Sequence, residues 1–331
     1  MVPVKMNVKA KACALIAFAL LALCPAAVFG WGGRLHMDIS RKAAQIVPDE
    51  MSAWRGYAHL MANGSYRPDL WKSDDQTEGP RHYVDIESYS EIGATNLPRN
   101  YADLAHMTSR RSTPRSGIAP WVILELQERL TTAMATNDWD EAAQVAAAMG
   151  HYVADTHQPL HTTENFDGAM ADGRGVHLRW EVELPGQHWR ASMLAPGKPA
   201  YVSDVWPFIL NWIQESHARY DAILDADGKA RDATGGNTES RAYYAKLWDL
   251  SGDIFVEQAS LSAQNLASMW YTAWRDAGRP PIPRAPQQIS EATIWRRKPA
   301  QEVPSAWPFF VAFIVAAIVI VWLSARKKKP E

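Results

Sequence analysis

Residues 151–161 have the sequence HYVADTHQPLH. Positions four apart share one face of a helix, so His151 and Asp155 can bind the same metal ion. His157 is two residues beyond Asp155 and points elsewhere. The Gln-Pro that follows ends the helix, so His161 can turn toward a neighbouring ion. The stretch therefore predicts a helix that ends inside a metal site, because zinc accepts imidazole and carboxylate ligands.

A second histidine–carboxylate pair, His177 and Glu181, has the same spacing of four residues. The segment between the two pairs, from Asn165 to Gly175, is typical of a flexible loop that brings the second pair back to the first. Together with His161, the second pair offers three ligands and leaves a position open for water. That composition indicates a catalytic zinc site rather than a closed structural one.

Two weaker candidates lie upstream, at Asp69 and His82. They are too far apart for one helical turn, but a loop can join them. Asp74 or Asp75 remains an alternative to Asp69 as the upstream carboxylate. The remaining histidines have no partner at ligand spacing, and we expect them on the surface, in the core or in support of ligands: His59, His106, His157, His188 and His217.

The first 30 residues are typical of a secretory signal. Three lysines precede the apolar run 12–23, which is too short to span a bilayer comfortably. Small residues follow, and the predicted cut falls between Gly30 and Trp31. A retained N-terminal anchor is the alternative.

Cleavage before Trp31 would create a further ligand. The new terminal amine and the carbonyl oxygen of Trp31 can chelate an ion in a five-membered ring. An α-amine has a pKa near 8 and loses its proton to a metal more readily than a lysine does. His36, five residues further on, can join this chelate.

The C-terminal end predicts a membrane anchor. Residues 306–323 form an uncharged apolar run, and four basic residues follow from Arg326. This pattern is typical of a transmembrane helix, 306–325, with a cytoplasmic tail, 326–331. We therefore expect the exported domain to lie on the periplasmic or extracellular side of the cytoplasmic membrane. A buried core helix is the alternative.

The Pro-rich segment 278–305 separates this anchor from the rest of the chain. Its composition predicts an extended stalk. The alternative is an ordered strap across the domain, docked through Ile294 and Trp295.

The remaining sequence, residues 31–277, predicts one all-α domain. Strand signals are few, and no repeat of fixed period is present. Asp138 is a candidate cap for the helix that precedes the histidine cluster. The predicted helices are Trp121–Ala135, Trp139–Thr156, Val205–Leu224 and a long one that follows Thr238 and runs through Trp274.

The net charge and the cysteine content narrow the range of functions that fit this sequence. The formal net charge is −2, but the signal and the tail carry much of the positive charge, so the exported domain is acidic. An acidic surface repels polyanions and argues against broad non-specific duplex binding. Cys13 and Cys24 both lie in the signal, so the mature domain has no disulfide.

Taken together, the motifs resemble those of the zinc-dependent phospholipase C/S1–P1 nuclease superfamily. The motifs, in chain order, are Trp31-Gly-x-x-x-His36, Pro-Asp69, His82-Tyr-x-Asp85, His151-x3-Asp155-x5-His161 and His177-x3-Glu181. The resemblance covers most of residues 31–274. It implies a compact all-α domain that binds three zinc ions at the base of a cleft.

The resemblance also implies a ligand set for each ion. One zinc would be held by Asp69, His82, His151 and Asp155. Asp155 would bridge to a second zinc, held by the Trp31 amine and carbonyl and by His36. The third zinc would be held by His161, His177 and Glu181.

Other residues near these motifs have expected roles in catalysis. Asp69 is expected to orient or deprotonate the attacking water. Lys72 is expected either to stabilise charge on phosphorus or to be a solvated surface lysine. Tyr83 and Asp85 are expected either to line the subsite for a head group or base, or to pack against and support His82.

Three functions remain. The function predicted first is that of a phospholipase C-type enzyme acting on phospholipid. The acidic surface and the predicted anchor favour it, and the His-x3-Glu pair that ends at Glu181 is similar to that of bacterial phospholipases C. The short spacing from Trp31 to His36 favours an S1/P1-type nuclease that releases 5′-mononucleotides from single strands. A non-catalytic zinc-binding envelope protein is the third possibility. No protein partner is implied by the sequence.

Overall fold

The computed structural model describes residues 32–107, 116–169 and 173–286. Within these ranges every regular element is a helix, which confirms the prediction of an all-α fold. The α-helices are α1 (Gly32–Ile46), α2 (Ala58–Ser65), α3 (Arg67–Trp71), α4 (Leu104–Met107), α5 (Ala119–Ala135), α6 (Trp139–His157), α7 (Val176–Leu178), α8 (Leu184–His188), α9 (Val205–His217), α10 (Tyr220–Ala233) and α11 (Arg241–Asp276).

Short helical turns join these helices. One of them is a π-helical turn, Arg179–Glu183, which joins α7 to α8 in one continuous segment. The 3₁₀ turns are Asp49–Tyr57, Gly79–His82, Ile86–Tyr89, Ala94–Asn96, Tyr101–Asp103, Pro159–Thr162 and Ala191–Met193.

Helix α6 lies at the centre of the domain, in contact with α1, α2, α5, α9 and α11. Its start was predicted correctly, because the Asp138 carboxylate accepts a hydrogen bond from the Glu141 amide at 3.0 Å. All residues from Ala142 to its end are buried. The small alanine side chains of its first half allow the neighbouring helices to approach closely. The histidine cluster at its C-terminal end is likewise buried among other helices.

One close approach involves a glycine of α6. A Cβ atom at Gly150 would lie 2.5 Å from the Ser40 Oγ atom of α1, closer than packed atoms approach each other. The absence of a side chain here allows α1 to pack directly against α6. This packing brings the N-terminal half of α1 beside the next residue of α6, His151.

The hydrophobic core has two clusters. One lies around α5, α6 and the 3₁₀ turn Asp49–Tyr57, and contains Trp54 and Trp270. The other contains Trp180 and Phe255 and joins α1, α10 and the π-helical turn. The 36 residues of α11 run through both clusters and connect them.

Two predicted helix boundaries were wrong. The stretch Val205–Leu224 forms two helices, α9 and α10, because the buried face of α9 packs in the first cluster and that of α10 in the second. The long C-terminal helix begins at Arg241, two residues later than a helix that directly follows Thr238. The Ser240 hydroxyl accepts a hydrogen bond from the Tyr243 amide at 3.2 Å and caps it.

The first part of the predicted stalk lies on the domain. Trp274 Nε1 donates to the Pro280 carbonyl at 2.9 Å, and the Tyr57 hydroxyl donates to the Pro283 carbonyl at 3.3 Å. Ile282 and Ala285 pack against the first core cluster. Residues 278–286 therefore contact the domain, whereas the rest of the predicted stalk, 287–305, lies outside the described residues.

The predicted signal and the predicted membrane anchor lie outside the described residues. These are the signal, 1–30, and the C-terminal helix 306–325 with its tail 326–331; Trp31, Ile294 and Trp295 also lie outside. Among the described helices, none is long and apolar enough to cross a membrane.

Candidate metal centre

The candidate ligands of the described ranges converge at the C-terminal end of α6. Donor atoms lie within 4.8 Å of one another in three groups. Group A is His36, Asp69 and His151; group B is His82, His151 and Asp155; group C is His161, His177 and Glu181. Every one of these side chains is buried except His177, which is half-buried. Trp31 lies outside the described residues.

Groups A and B share His151 and form one continuous cluster. Asp155 Oδ2 is 2.8 Å from His82 Nδ1 and 3.2 Å from His151 Nε2. Asp155 Oδ1 is 3.4 Å from His36 Nε2, and the His36 ring stacks on the His151 ring at 4.0 Å between centroids. Asp69 Oδ1 lies 3.5 Å from His151 Nε2.

The backbone fixes the orientation of the His151 ring. His151 Nδ1 lies 2.8 Å from the Ser65 carbonyl oxygen at the end of α2. A carbonyl only accepts, so Nδ1 carries the proton and donates it there. Nε2 therefore faces Asp69 and Asp155, and it is the ring nitrogen that can bind an ion in the cluster.

The donor atoms fit a bound cation. Within the described part of the chain, both ring nitrogens of His36, Asp69 Oδ2 and Asp155 Oδ1 are buried without a hydrogen-bond partner. Each such atom costs about 1–3 kcal/mol if nothing satisfies it. A cation bound here would satisfy one ring nitrogen of His36 together with carboxylate oxygens of Asp69 and Asp155, and imidazole with carboxylate suits zinc.

Electrostatics prepare these side chains as ligands. Burial, aided by the nearby His151, lowers the pKa of His36 to about 3, so its imidazole is neutral, as a ligand must be. Burial opposes ionisation of Asp69, yet His151 and Lys72 hold the pKa of its carboxyl well below the usual range. Against burial, Asp155 and Asp69 raise the pKa of His151 to about 10, so a cation would displace its proton.

Group C lies next to this cluster. His161 Nε2 is 3.1 Å from His177 Nε2 and 3.3 Å from Glu181 Oε1, and Glu181 also contacts His177. His161 Nδ1 donates to the His82 carbonyl oxygen at 2.9 Å, which leaves Nε2 for the group. The backbone of group B thus orients a side chain of group C.

The structure distinguishes the upstream carboxylates. Asp69, at the start of the short helix α3, is buried and lies in group A. Asp74 is exposed, and Asp75 accepts hydrogen bonds from the amide and hydroxyl of Thr77. Lys72 Nζ lies 2.7 Å from Asp69 Oδ1, which puts a positive charge beside group A.

Tyr83 and Asp85 directly follow His82 and are half-buried. The Tyr83 carbonyl accepts from the Ala119 amide at 3.2 Å, and a Cβ atom at Gly117, where φ is +79°, would clash with that carbonyl. The Val84 amide donates to the His161 carbonyl at 2.9 Å, so this segment runs past group C.

Asp85 is surrounded by other acidic groups. Burial, with Glu87 and Glu164 nearby, raises the pKa of its carboxyl to about 7. Its carboxyl therefore changes charge near neutral pH.

Two residues near the cluster were missed from the sequence. The Phe166 ring is 49% exposed and lies edge-on to the His177 ring, 5.5 Å away. The signal was present, since an aromatic residue in a polar loop before a ligand pair has no core to join. Glu78, four residues before His82, has an oxygen 3.2 Å from His82 Nε2.

His157 has a structural role, as expected. Its Nδ1 donates to the Val153 carbonyl at 2.7 Å, and the Asn265 amide donates to its Nε2 at 3.0 Å. Its ring stacks on Trp212. Burial lowers the pKa of His157 to about 4, so the imidazole is neutral in the core.

The helical fold thus brings together three groups of donors that could hold metal ions. Residues 33–184 match the family model of S1/P1 nuclease, a zinc-dependent family of hydrolases that act on phosphodiester bonds. That family belongs to the phospholipase C/P1 nuclease superfamily, so the match over this segment confirms the resemblance predicted from the motifs. No curated protein matches the chain.

Proposed function

We propose that the protein is a zinc-dependent phosphodiesterase that cleaves single-stranded nucleic acid. The observation that carries the proposal is the set of three histidine–carboxylate groups, all within the segment that matches the S1/P1 nuclease family. A zinc-dependent enzyme needs such groups, and their buried donor atoms require a cation. The family match favours nucleic acid over phospholipid as the substrate.

Three zinc ions are assigned to these donors. Asp69, His82, His151 and Asp155 would hold one ion. His36 and Asp155 would hold a second, together with the amine and carbonyl of Trp31. The three residues of group C would hold the third. When bound, zinc lowers the pKa of water toward neutrality and offsets the charge of the phosphate.

The protein side chains supply orientation and proton transfer. Asp69 is assigned the orientation and deprotonation of the attacking water, with Lys72 Nζ 2.7 Å from its Oδ1 atom. Lys72 adds positive charge where the phosphate would lie. The half-exposed Phe166 ring offers a stacking surface for a base, and Tyr83 with Asp85 lines a second subsite.

A phospholipase C-type activity is the second candidate. Two observations favour it. The third residue of group C is Glu181, and a His-x3-Glu pair is similar to that of bacterial phospholipases C. In addition, the acidic side chains of Glu87 and Glu164 lie near Asp85. An acidic subsite suits the cationic head group of a phospholipid better than a polyanion. The predicted C-terminal anchor would hold the site near lipid.

One experiment separates the two substrates. Purified protein is incubated with zinc and either single-stranded DNA and RNA or mixed phospholipid micelles, with His151→Ala as the inactive control. We expect 5′-mononucleotides from the strands. Release of phosphorylated head group alone would favour the phospholipase. Full zinc occupancy without hydrolysis of either substrate would contradict the phosphodiesterase proposal.

We further propose that the protein is exported and tethered to the cytoplasmic membrane, with its mature chain starting at Trp31. N-terminal sequencing combined with metal analysis tests the cut and the terminal chelate together. A mature chain that starts at another residue, with three zinc ions still bound, would remove Trp31 from the ligand set. Recovery of the protein in the soluble fraction of lysed cells would contradict the tether.

A further inference from the structure

A buried carboxylate lies behind one of the metal-facing histidines. Glu78 is only 5% exposed and precedes the 3₁₀ turn Gly79–His82. Its Oε1 atom is 3.2 Å from His82 Nε2. A buried charge is costly unless neighbouring groups compensate it, so the contacts of Glu78 need a physical reason.

The two nitrogens of the His82 imidazole face opposite surroundings. Nδ1 points into the cluster, 2.8 Å from Asp155 Oδ2 and 2.9 Å from His151 Nε2. Nε2 points toward the Glu78 carboxylate. Both nitrogens thus face a carboxylate, which only accepts hydrogen bonds. An ion bound at group B would take the lone pair of Nδ1, so the proton of the neutral ring would then be on Nε2, where Glu78 is the nearby acceptor.

Glu78 is itself held in place. The Tyr152 hydroxyl, on α6, donates to its Oε1 atom. Arg81 Nε lies 3.5 Å from Oε2, and the Arg81 guanidinium lies over the Tyr152 ring at 5.5 Å. These two partners and His82 are all buried, like Glu78 itself. A carboxylate fixed by α6 and by Arg81 can in turn fix the imidazole.

We propose that Glu78 is a positioning residue, which holds the His82 ring in the tautomer and orientation that present Nδ1 to a metal ion. The inference rests on the proposed function only in requiring that a metal binds at group B. Carboxylates that orient a ligand histidine in this way commonly account for about 10–100-fold in metal affinity.

The test compares two isosteric variants of the full chain. Glu78→Gln keeps the size of the side chain and removes its charge. Glu125→Gln is the matched control, because Glu125 is a half-exposed carboxylate 3.9 Å from the same Arg81. Zinc affinity is measured by chelator competition and zinc content. We expect Glu78→Gln to lose about 10–100-fold in affinity for one ion, and Glu125→Gln to bind zinc like the wild type.

Two further readouts separate positioning from a structural role. Imidazole ¹⁵N chemical shifts report which nitrogen of His82 carries the proton, and Glu78→Gln should reduce the Nε2–H population. A melting curve of the metal-free protein reports stability. Loss of affinity at all three groups in parallel with a lower metal-free melting temperature would indicate a structural role and overturn the proposal.

Wild-type affinity of Glu78→Gln for every ion would also overturn it. Since the readout is metal binding, a protein that binds zinc but hydrolyses neither substrate would contradict the phosphodiesterase proposal and leave the Glu78 result standing. A wild-type chain that binds no zinc would overturn both.

Discussion

At the scale of single residues, the metal centre depends on carboxylates that stay ionised although they are buried. Asp155 is fully buried, yet His151 and His161 hold the pKa of its carboxyl well below the usual range. Its oxygens face imidazoles from α1, α6 and the turn before Tyr83. A cation at this point would replace the protons that these groups otherwise share.

The choice of the upstream carboxylate can be tested with a pair of substitutions. Asp69→Asn keeps the shape of the side chain but removes the charge and the proton acceptor of group A. We expect a loss of phosphodiester hydrolysis of about 10²–10⁴-fold, as for removal of a general base. Asp74→Asn, at an exposed position, should leave the rate unchanged. Equal rates of the two variants would exclude the role of Asp69.

Asp85 gives a pH-dependent prediction. Its pKa is about 7 in the folded protein and near 4 when unfolded, so the folded state binds the proton more tightly. The contribution of Asp85 to stability is therefore present at pH 4 and is lost as the pH rises to 7. Asp85→Asn removes this loss and should raise the melting temperature more at pH 8 than at pH 5. A pH-independent difference would show that neither burial nor the neighbouring Glu87 and Glu164 destabilises the ionised form.

At the scale of elements, the contact between α1 and α6 brings His36 to His151. Gly150→Ala adds a methyl group 2.5 Å from Ser40 Oγ and should cost about 1–3 kcal/mol in the free energy of unfolding. In a Ser40→Ala background the nearest atoms would be 3.3 Å away or more, and the substitution should be close to neutral. Denaturant unfolding of the four proteins measures this coupling. Additive effects would show that the two residues do not meet.

The π-helical turn that carries Glu181 is anchored by a buried ion pair. Arg179 Nη2 lies 2.7 Å from Asp227 Oδ1 on α10, and Arg179 also donates to the carbonyls of Gly173 and Arg174. This pairing connects the loop, the turn and α10 behind His177. It explains why an arginine occurs between two ligands in the sequence.

Removing Asp227 should therefore be costly. Asp227→Ala leaves the buried Arg179 without a counter-charge and should lower the free energy of unfolding by about 3–5 kcal/mol. The matched control is Asp225→Ala on the same helix, because both aspartates pair with a basic residue four positions on. The Asp225 pair is exposed, so its loss should cost at most about 1 kcal/mol. Similar values in urea unfolding would contradict the role of the buried pair.

At the scale of the whole molecule, bound metal is expected to contribute to folding stability. The ligands come from segments between residues 36 and 181, so an ion that binds only the folded chain links the whole domain. Chelation should remove about 3 kcal/mol, the stabilisation given by a ligand at 100 times its Kd, and lower the melting temperature by roughly 5–10 °C. Calorimetry with chelator and with added zinc checks this. An unchanged melting temperature would show that no tightly bound ion supports the fold.

Much of this molecule follows from local sequence patterns. Spacings of four residues put His151 with Asp155 and His177 with Glu181, because a helix repeats its faces at that interval. The Asp138 cap fixed the start of α6 for a similarly local reason. The class of fold followed from the same periodicity, while the export signal and the anchor lie outside the described residues and stay predictions.

Other features depend on tertiary structure, because they require contacts between distant parts of the chain. The break between α9 and α10 depends on which core cluster each buried face meets, and Asp69 was separated from Asp74 and Asp75 only by its burial against His151. Glu78 stands behind His82 because Tyr152, on α6, fixes it there. Helical spacing is a property of neighbouring residues, whereas burial and charge pairing depend on distant segments, so the sequence determined the ligand types and the folded chain decided how they meet.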